Sequence, residues 1–214
     1  MPATIGVIEA AIWKKTWMPP RTSVQQIVDC SRGEGNVGCS KGNIANSLRY
    51  INRHGLVSNS SYPYKAKDGF CNHAVTDDVS KQCLRVGELR GIDVTVIGSK
   101  RLDGLFERIQ EAPVAVGIDV IASEWPFYRG GILQGLNCTE YPIHFMLLVG
   151  YGVSEDGINY WTVRNSWGSD WGEHGFARMV RDPHVKIGAG FCNIMLNPAY
   201  IVTFEEPLIS PGCK

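Results

Sequence analysis

The 214-residue chain has no uninterrupted apolar stretch of the roughly 18 residues a bilayer-spanning helix needs. It has no run of like charge, and its 21 basic and 21 acidic residues cancel to a formal net charge of zero. Gripping a phosphate backbone or an anionic membrane takes clustered Lys and Arg, so neither a nucleic acid nor a membrane is an expected partner. Internal repeats and low-complexity segments are absent, and no charged-then-apolar leader opens the chain, so no signal peptide is expected in it. Metal-type spacing is missing too. Eight residues lie between Cys30 and Cys39, and Cys71-Asn72-His73 has no second close pair, whereas zinc sites show paired ligands at short, repeated spacings. No metal or other cofactor is expected.

What is present is enough apolar material for a substantial core, 44% of residues. The first third reads helical, over Ile5 to Trp17, Val24 to Cys30 and Ile44 to His54, with Gly55 as a helix stop. From about Gly91 the texture changes to short β-type runs at Val94–Ile97, Val114–Ile118, Met146–Val149 and Tyr160–Val163, with one helix from Lys100 to Ala112 between them. A helical half followed by a β-rich half defines an α+β class with domains at 1–95 and 96–214. The cysteine count is seven, an odd number, which points to a lost or intermolecular partner in an otherwise paired protein. Two sequons, Asn59-Ser-Ser61 and Asn137-Cys-Thr139, permit glycosylation at Asn59 and Asn137 in an oxidising, secretory setting.

The most informative segment is Tyr160-Trp-Thr-Val-Arg-Asn165-Ser-Trp167-Gly-Ser-Asp-Trp171-Gly-Glu-His-Gly-Phe176, read with Ile143-His144-Phe145 upstream. A histidine whose ring is held by an asparagine amide, shielded by tryptophan, is the base-plus-orienter half of a thiol protease site. His144 is the candidate base, Asn165 its orienter and Trp167 the shield, with Trp171 in a supporting place. His54, His73, His174 and His184 lack such a context. The other half of such a site is a cysteine at a helix N-terminus, where the dipole favours the thiolate. None of the seven cysteines stands there in the sequence.

Further motifs fall into line. Ser23-Val-Gln-Gln-Ile-Val-Asp-Cys30, Gly38-Cys39-Ser-Lys-Gly42, Tyr62-Pro-Tyr64, Phe127-Tyr-Arg-Gly-Gly-Ile132 and Asn165-Ser-Trp-Gly occur in this order. Together they resemble papain-family, cathepsin-like cysteine proteases over nearly the whole chain. The resemblance implies a papain-like two-domain fold, a helical domain plus a β-barrel-like domain with the cleft between them, and hydrolysis of peptide bonds by thiolate acyl transfer. Aligned through Glu9, the helix Ala3–Trp13 matches the one that follows the family's nucleophile. The nucleophilic cysteine would then lie two residues before Met1, and the chain would be an N-terminally truncated, inactive domain. The alternative is a non-catalytic homologue acting as a binding or matrix protein.

By the same resemblance Cys30 pairs with Cys71 and Cys138 with Cys192, while Cys39 has lost its usual upstream partner. Cys83 and Cys213 have no place in the common pattern and are either an extra bridge or two free thiols. Gly42, Asn43, Ile44, Gly117, Ile143 and Asn197 fall where the family's main specificity pocket is lined, and the small Gly117 implies room for a bulky apolar side chain. Lys41 replaces a usual glycine and Phe145 a usual small residue. The implied partners are a peptide or protein substrate and inhibitor proteins or a propeptide, the implied setting lysosomal or extracellular, and the implied state a monomer.

Overall fold

The computed structural model describes residues 2–18, 20–85, 93–97, 102–120, 124–136, 138, 144–182, 189–195 and 199–203, giving backbone alone at 93–97, 199, 201 and 203. Two compact units divide the chain, Met1–Val94 joined by the stretch from Val202 onward, and Thr95–Ile201.

In the first unit α1 (Pro2–Thr16) opens on a proline, whose missing N–H is no loss in a first turn. Ala3, Thr4, Ile5, Val7, Ile8, Ala11 and Ile12 are all buried, so the helix is sheathed over most of its circumference, as an internal helix should be. It packs on α3 (Ile44–His54). Its Glu9 carboxylate accepts from both the Thr22 N–H at 2.8 Å and the Thr22 hydroxyl at 3.0 Å, pinning the chain just before α2 (Val24–Cys30).

Ser23 caps α2 by accepting from Gln26 N–H, and its hydroxyl donates to the Tyr62 carbonyl at 2.7 Å. Polar side chains of α2 point inward: Gln25, Gln26 and Asp29 are buried. Gln25 Nε2 donates to Asp29 Oδ1 and to the Lys67 carbonyl, and its Oε1 accepts from Lys65 N–H. Asp29 Oδ2 accepts from Tyr62 OH at 2.9 Å. Gln26 Oε1 accepts from Val57 N–H at 2.8 Å while its Nε2 donates to Tyr50 OH and the Gly55 carbonyl. Buried amides and carboxylates are tolerated only when bonded in this way. The Cys30–Cys71 bridge closes the same loop covalently.

Asn43 caps α3 through Ala45 N–H, and Gly55 ends it at φ +72, with Gly55 N–H on the Ile51 carbonyl. A Cβ at Gly55 would sit against the Leu84 carbonyl, so close backbone approach as well as the positive φ calls for glycine there. Strand β1 (Leu56–Val57) follows and pairs antiparallel with β2 (Gln82–Leu84), across the short helix α4 (His73–Thr76).

The second unit carries most of a seven-stranded sheet in the order β3-β9-β4-β6-β7-β8-β5. The strands are β3 (Asp93–Ile97), β4 (Val114–Ile118), β5 (Ile132–Leu133), β6 (His144–Val153), β7 (Asn159–Arg164), β8 (Phe176–Val180) and β9 (Ala199–Thr203), with α5 (Leu102–Glu111) between β3 and β4. The β4–β6, β6–β7, β7–β8 and β4–β9 pairs are antiparallel, and β5 joins β8 in parallel. Alternation sorts the faces: Trp161 and Val163 of β7 and Ala177 and Met179 of β8 point into the core. They meet Val116, Met146, Leu148 and Trp125, while Leu105 and Ile109 of α5 close that core. The Cys138–Cys192 bridge belongs to this unit.

Candidate active site

His144 opens β6 opposite Ile118 of β4, and Asn165 follows the last residue of β7, the strand paired to β6. Sheet pairing thus brings two residues 21 positions apart into contact, with His144 Nε2 and Asn165 Oδ1 at 2.9 Å. A second bond fixes the polarity of the first. Ser166 N–H, which can only donate, reaches the same Asn165 Oδ1 at 2.7 Å, so the amide oxygen faces the ring. Imidazole Nε2 must then donate, which leaves Nδ1 as the basic nitrogen.

Trp167 lies against the pair, its ring 5.4 Å from that of His144 at 42°. Trp167 meets Trp171 edge-on at 5.4 Å, and Trp171 stacks on Trp125 at 6.0 Å and donates from Nε1 to the Trp125 carbonyl at 2.9 Å. The Asn165 backbone N–H donates to the Gly175 carbonyl at 2.9 Å. The hairpin carrying Gly175 is clamped in turn: Glu173 accepts from Arg178 through Nε and Nη2, the shortest bond 2.7 Å, and from Gly131 N–H at 2.9 Å. Tyr128 OH ties the same corner, donating to the Gly131 carbonyl and accepting from Arg178 N–H. Sequence reading did not single out Ser166, Gly175, Glu173, Arg178 or Tyr128. Ser166, Glu173 and Gly175 all lie inside the Tyr160–Phe176 segment, where Glu173 is the one whose side-chain charge gives a signal.

Burial pulls the His144 imidazole below its ordinary value, and the Asn165 bond only partly opposes it. Asn165 is buried, and its Nδ2 has no partner among the described residues. An orphan donor of this kind costs about 1–3 kcal/mol, a local expense accepted at the point where the ring is held. The sign of the linkage is set by the depressed pKa. The unfolded chain binds the His144 proton more readily, so this contribution to stability is whole above pH 6.5, the ordinary histidine value, and is lost as pH falls below it. His144→Gln should therefore flatten the acid side of the stability–pH curve measured by chemical denaturation, and an unchanged slope would refute the assignment.

The remaining sequence candidates are distributed as follows. Gly42, Asn43 and Ile44 stand at the start of α3 in the first unit, Asn43 serving as its cap. Gly117 lies on β4 directly opposite Phe145 of β6. Ile143, Asn197, Asn137 and Cys213 lie outside the described residues. Asn59 sits in a half-exposed turn after β1. Cys30 is bonded to Cys71 and Cys138 to Cys192. Cys83, left open by the sequence, is disulfide-bonded and fully buried. Cys39 is free and exposed. Among the described residues no group of three or more His, Cys, Asp or Glu could hold a metal ion, and no helix is long and apolar enough to cross a membrane.

A ring held by an amide beside tryptophan, on paired strands of a disulfide-braced α+β chain, has one nitrogen fixed as donor and the other left basic. The chain belongs to the papain family of cysteine proteases, whose family model matches residues 2–202. It is 34% identical to vignain of Phaseolus vulgaris over 204 residues, covering 92% of this chain and 52% of that protein. It is 36% identical to cathepsin S of Bos taurus over 201 residues, covering 92% and 56%. The chain thus spans about half the length of the curated relatives it matches. Among solved structures, the proform of the ragweed pollen allergen cysteine protease Amb a 11 superposes with a TM-score of 0.81 at 30% identity, covering 96% of this chain and 59% of that one. The bromelain protease of Ananas comosus in complex with the E64 inhibitor gives 0.80 at 28%, covering 95% and 87%. The fold is papain-like.

Proposed function

We propose that this chain is the base-bearing part of a papain-like cysteine peptidase acting on peptides or proteins. The 2.9 Å His144–Asn165 bond carries the reading, because it presents Nδ1 as the free basic nitrogen that a thiol nucleophile requires beside it. In the whole protein a cysteine upstream of residue 1 supplies that thiol and gives its proton to Nδ1. The thiolate attacks the scissile carbonyl, forming a thioester. His144 returns the proton to the leaving amine, then takes one from the water that breaks the thioester and restores the thiol. Asn165 holds the ring, Trp167 keeps water from the bond between them, and Trp171 supports Trp167.

In this reading Gly42, Asn43, Ile44, Gly117, Ile143 and Asn197 are the positions that set substrate preference, with Lys41 and Phe145 as departures from the usual family residues. A propeptide or inhibitor proteins are further partners in this reading. Cys39 takes its bridge from an upstream cysteine, and the protein is a monomer of lysosomal or extracellular compartments, glycosylated at Asn59 and Asn137. The disulfides support an oxidising setting.

By itself the 214-residue chain is catalytically silent. Among the described residues five cysteines are bridged, and the free one, Cys39, is unsuited to attack. The Cys39 thiol is pushed up by burial and by the neighbouring Asp68 carboxylate, the reverse of what favours a thiolate. Purified chain given a fluorogenic peptide and an active-site thiol titrant should show neither turnover nor labelling. Either one would overturn the reading. Reading the coding sequence upstream of the Met1 codon separates the alternatives. A cysteine in the position two residues before Met1 supports the peptidase, and a serine or glycine there makes the protein a non-catalytic binding homologue.

A further inference from the structure

The turn behind Asn165 is strained. Three of the four residues between Trp171 and Phe176 are left-handed: Gly172 at φ +58, His174 at φ +55 and Gly175 at φ +92. Glycine adopts such values freely, but a histidine is held there only where its surroundings over-determine the backbone. Within the turn Gly175 N–H donates to the Trp171 carbonyl at 2.7 Å, and Glu173 and Phe176 exchange backbone bonds at 2.9 and 3.1 Å. The Gly175 carbonyl then accepts the Asn165 N–H at 2.9 Å. The position of Asn165, and so its aim at the His144 ring, depends on this turn keeping its shape. Strain of this kind gathers where function has a use for it.

One side chain fastens the turn to its neighbours. The Glu173 carboxylate accepts from Arg178 of β8, through Nε at 2.9 Å and Nη2 at 2.7 Å, and from Gly131 N–H just before β5 at 2.9 Å. The Arg178 guanidinium lies 5.5 Å from the Tyr160 ring of β7. Tyr128 OH donates to the Gly131 carbonyl and accepts from Arg178 N–H, so the two partners of Glu173 are themselves tied together. Arg178 holds the Glu173 carboxyl below its ordinary value, so both groups are charged at neutral pH and their two-pronged bond is of the strong kind. The side chains of Glu173 and Arg178 keep 28% and 33% of their surface exposed, and a pair that open adds little to global stability. What it does fix is the turn. Trp171 at the head of the turn meets Trp167, and Trp167 meets His144, so the same fastening reaches the ring by a second route.

We propose that Glu173 is a positioning residue for the His144 base, holding through Arg178 and Gly131 the strained turn that aims Asn165 at the ring. The proposal rests on the base-and-orienter reading of His144 and Asn165. In the 214-residue chain the His144 Nε2 proton should appear as a separate downfield resonance that exchanges slowly with water, because the buried Asn165 accepts it. Glu173→Ala should speed that exchange by about tenfold or more, the factor that one charge-assisted bond is worth. Glu173→Gln keeps an acceptor oxygen for Gly131 N–H and should lie between the two. Leu105→Ala empties a core site under α5. It should lower the melting temperature more than either Glu173 variant, yet leave the His144 exchange at the parent rate well below melting. The proposal fails if Glu173→Ala exchanges at the parent rate, or Glu173→Gln does so where the alanine variant does not fold. It also fails if Leu105→Ala quickens the exchange equally. A parent chain without such a resonance overturns the His144–Asn165 reading itself, whereas a parent resonance left untouched in the Glu173 variants overturns the positioning role alone.

Discussion

Trp161→Ala should unfold the sheet unit at a markedly lower temperature, with a loss of about 3–5 kcal/mol in chemical denaturation, the usual cost of emptying a large aromatic site in a core. Trp161 is 1% exposed. Its ring lies 6.3 Å from Phe106 of α5 and 6.3 Å from Tyr151 of β6, and the Arg181 guanidinium sits 5.2 Å from its centroid. One side chain therefore joins helix, two strands and a half-buried cation. Total stabilities of about 5–15 kcal/mol leave little after such a loss. The effect should reach the site as well, since Trp161 belongs to the strand that leads directly into Asn165. Near-ultraviolet circular dichroism should report the loss of packing, and a cost below about 1 kcal/mol would show that the cluster is not the core of this unit.

Gln26→Leu should be comparably damaging in the helical unit, although it replaces a polar side chain by an apolar one of similar size. Three buried groups would lose their partner at once: Val57 N–H, the Gly55 carbonyl and Tyr50 OH. Each orphaned group costs about 1–3 kcal/mol, so the expected total is about 3–5 kcal/mol after local relaxation. Leu at this site gains transfer free energy of only about 2 kcal/mol, which does not offset three broken bonds. Hydrogen exchange at Val57 should quicken more than at Leu84 in the paired strand. Equal quickening at both would mean global unfolding and would remove the special role given to Gln26.

The same residue shows where sequence reading stops. Val24–Cys30 and Ile44–His54 are legible as helices because their caps are local: a serine or asparagine side chain reaching its own next turn. Nothing local says that Gln25, Gln26 and Asp29 are buried. Their partners are Lys65, Val57 and Tyr62, more than thirty positions away, and a helix face bearing Gln and Asp reads as solvated until those partners are placed. His144 and Asn165 could be named from motif chemistry alone. Ser166, which settles the tautomer, acts through its backbone N–H, a group every residue but proline carries, so no motif marks it. Strand β8 and the parallel β5 were not read either. Phe176–Val180 includes an arginine whose guanidinium is absorbed by Glu173, and a two-residue strand is too short to show a period. The fate of Cys83 was left open because pairing depends on where distant loops come together.

The order of strands also sets a timetable for synthesis. Strand β9 lies between β3 and β4 in the sheet, yet about 80 residues must be made after Ile118 before Ala199 appears. At ribosomal speeds of about 5–20 residues per second, the edge of β4 waits roughly 4–16 s for its neighbour. β4 is buried at all five of its positions in the finished sheet, so during that interval it is an apolar strand with an open row of backbone donors and acceptors, the kind of edge on which chains stick to one another. Newborn copies depend on being shielded at β4 until the last strand arrives, and crowding of ribosomes on one message is the circumstance in which that shielding is most severely tested.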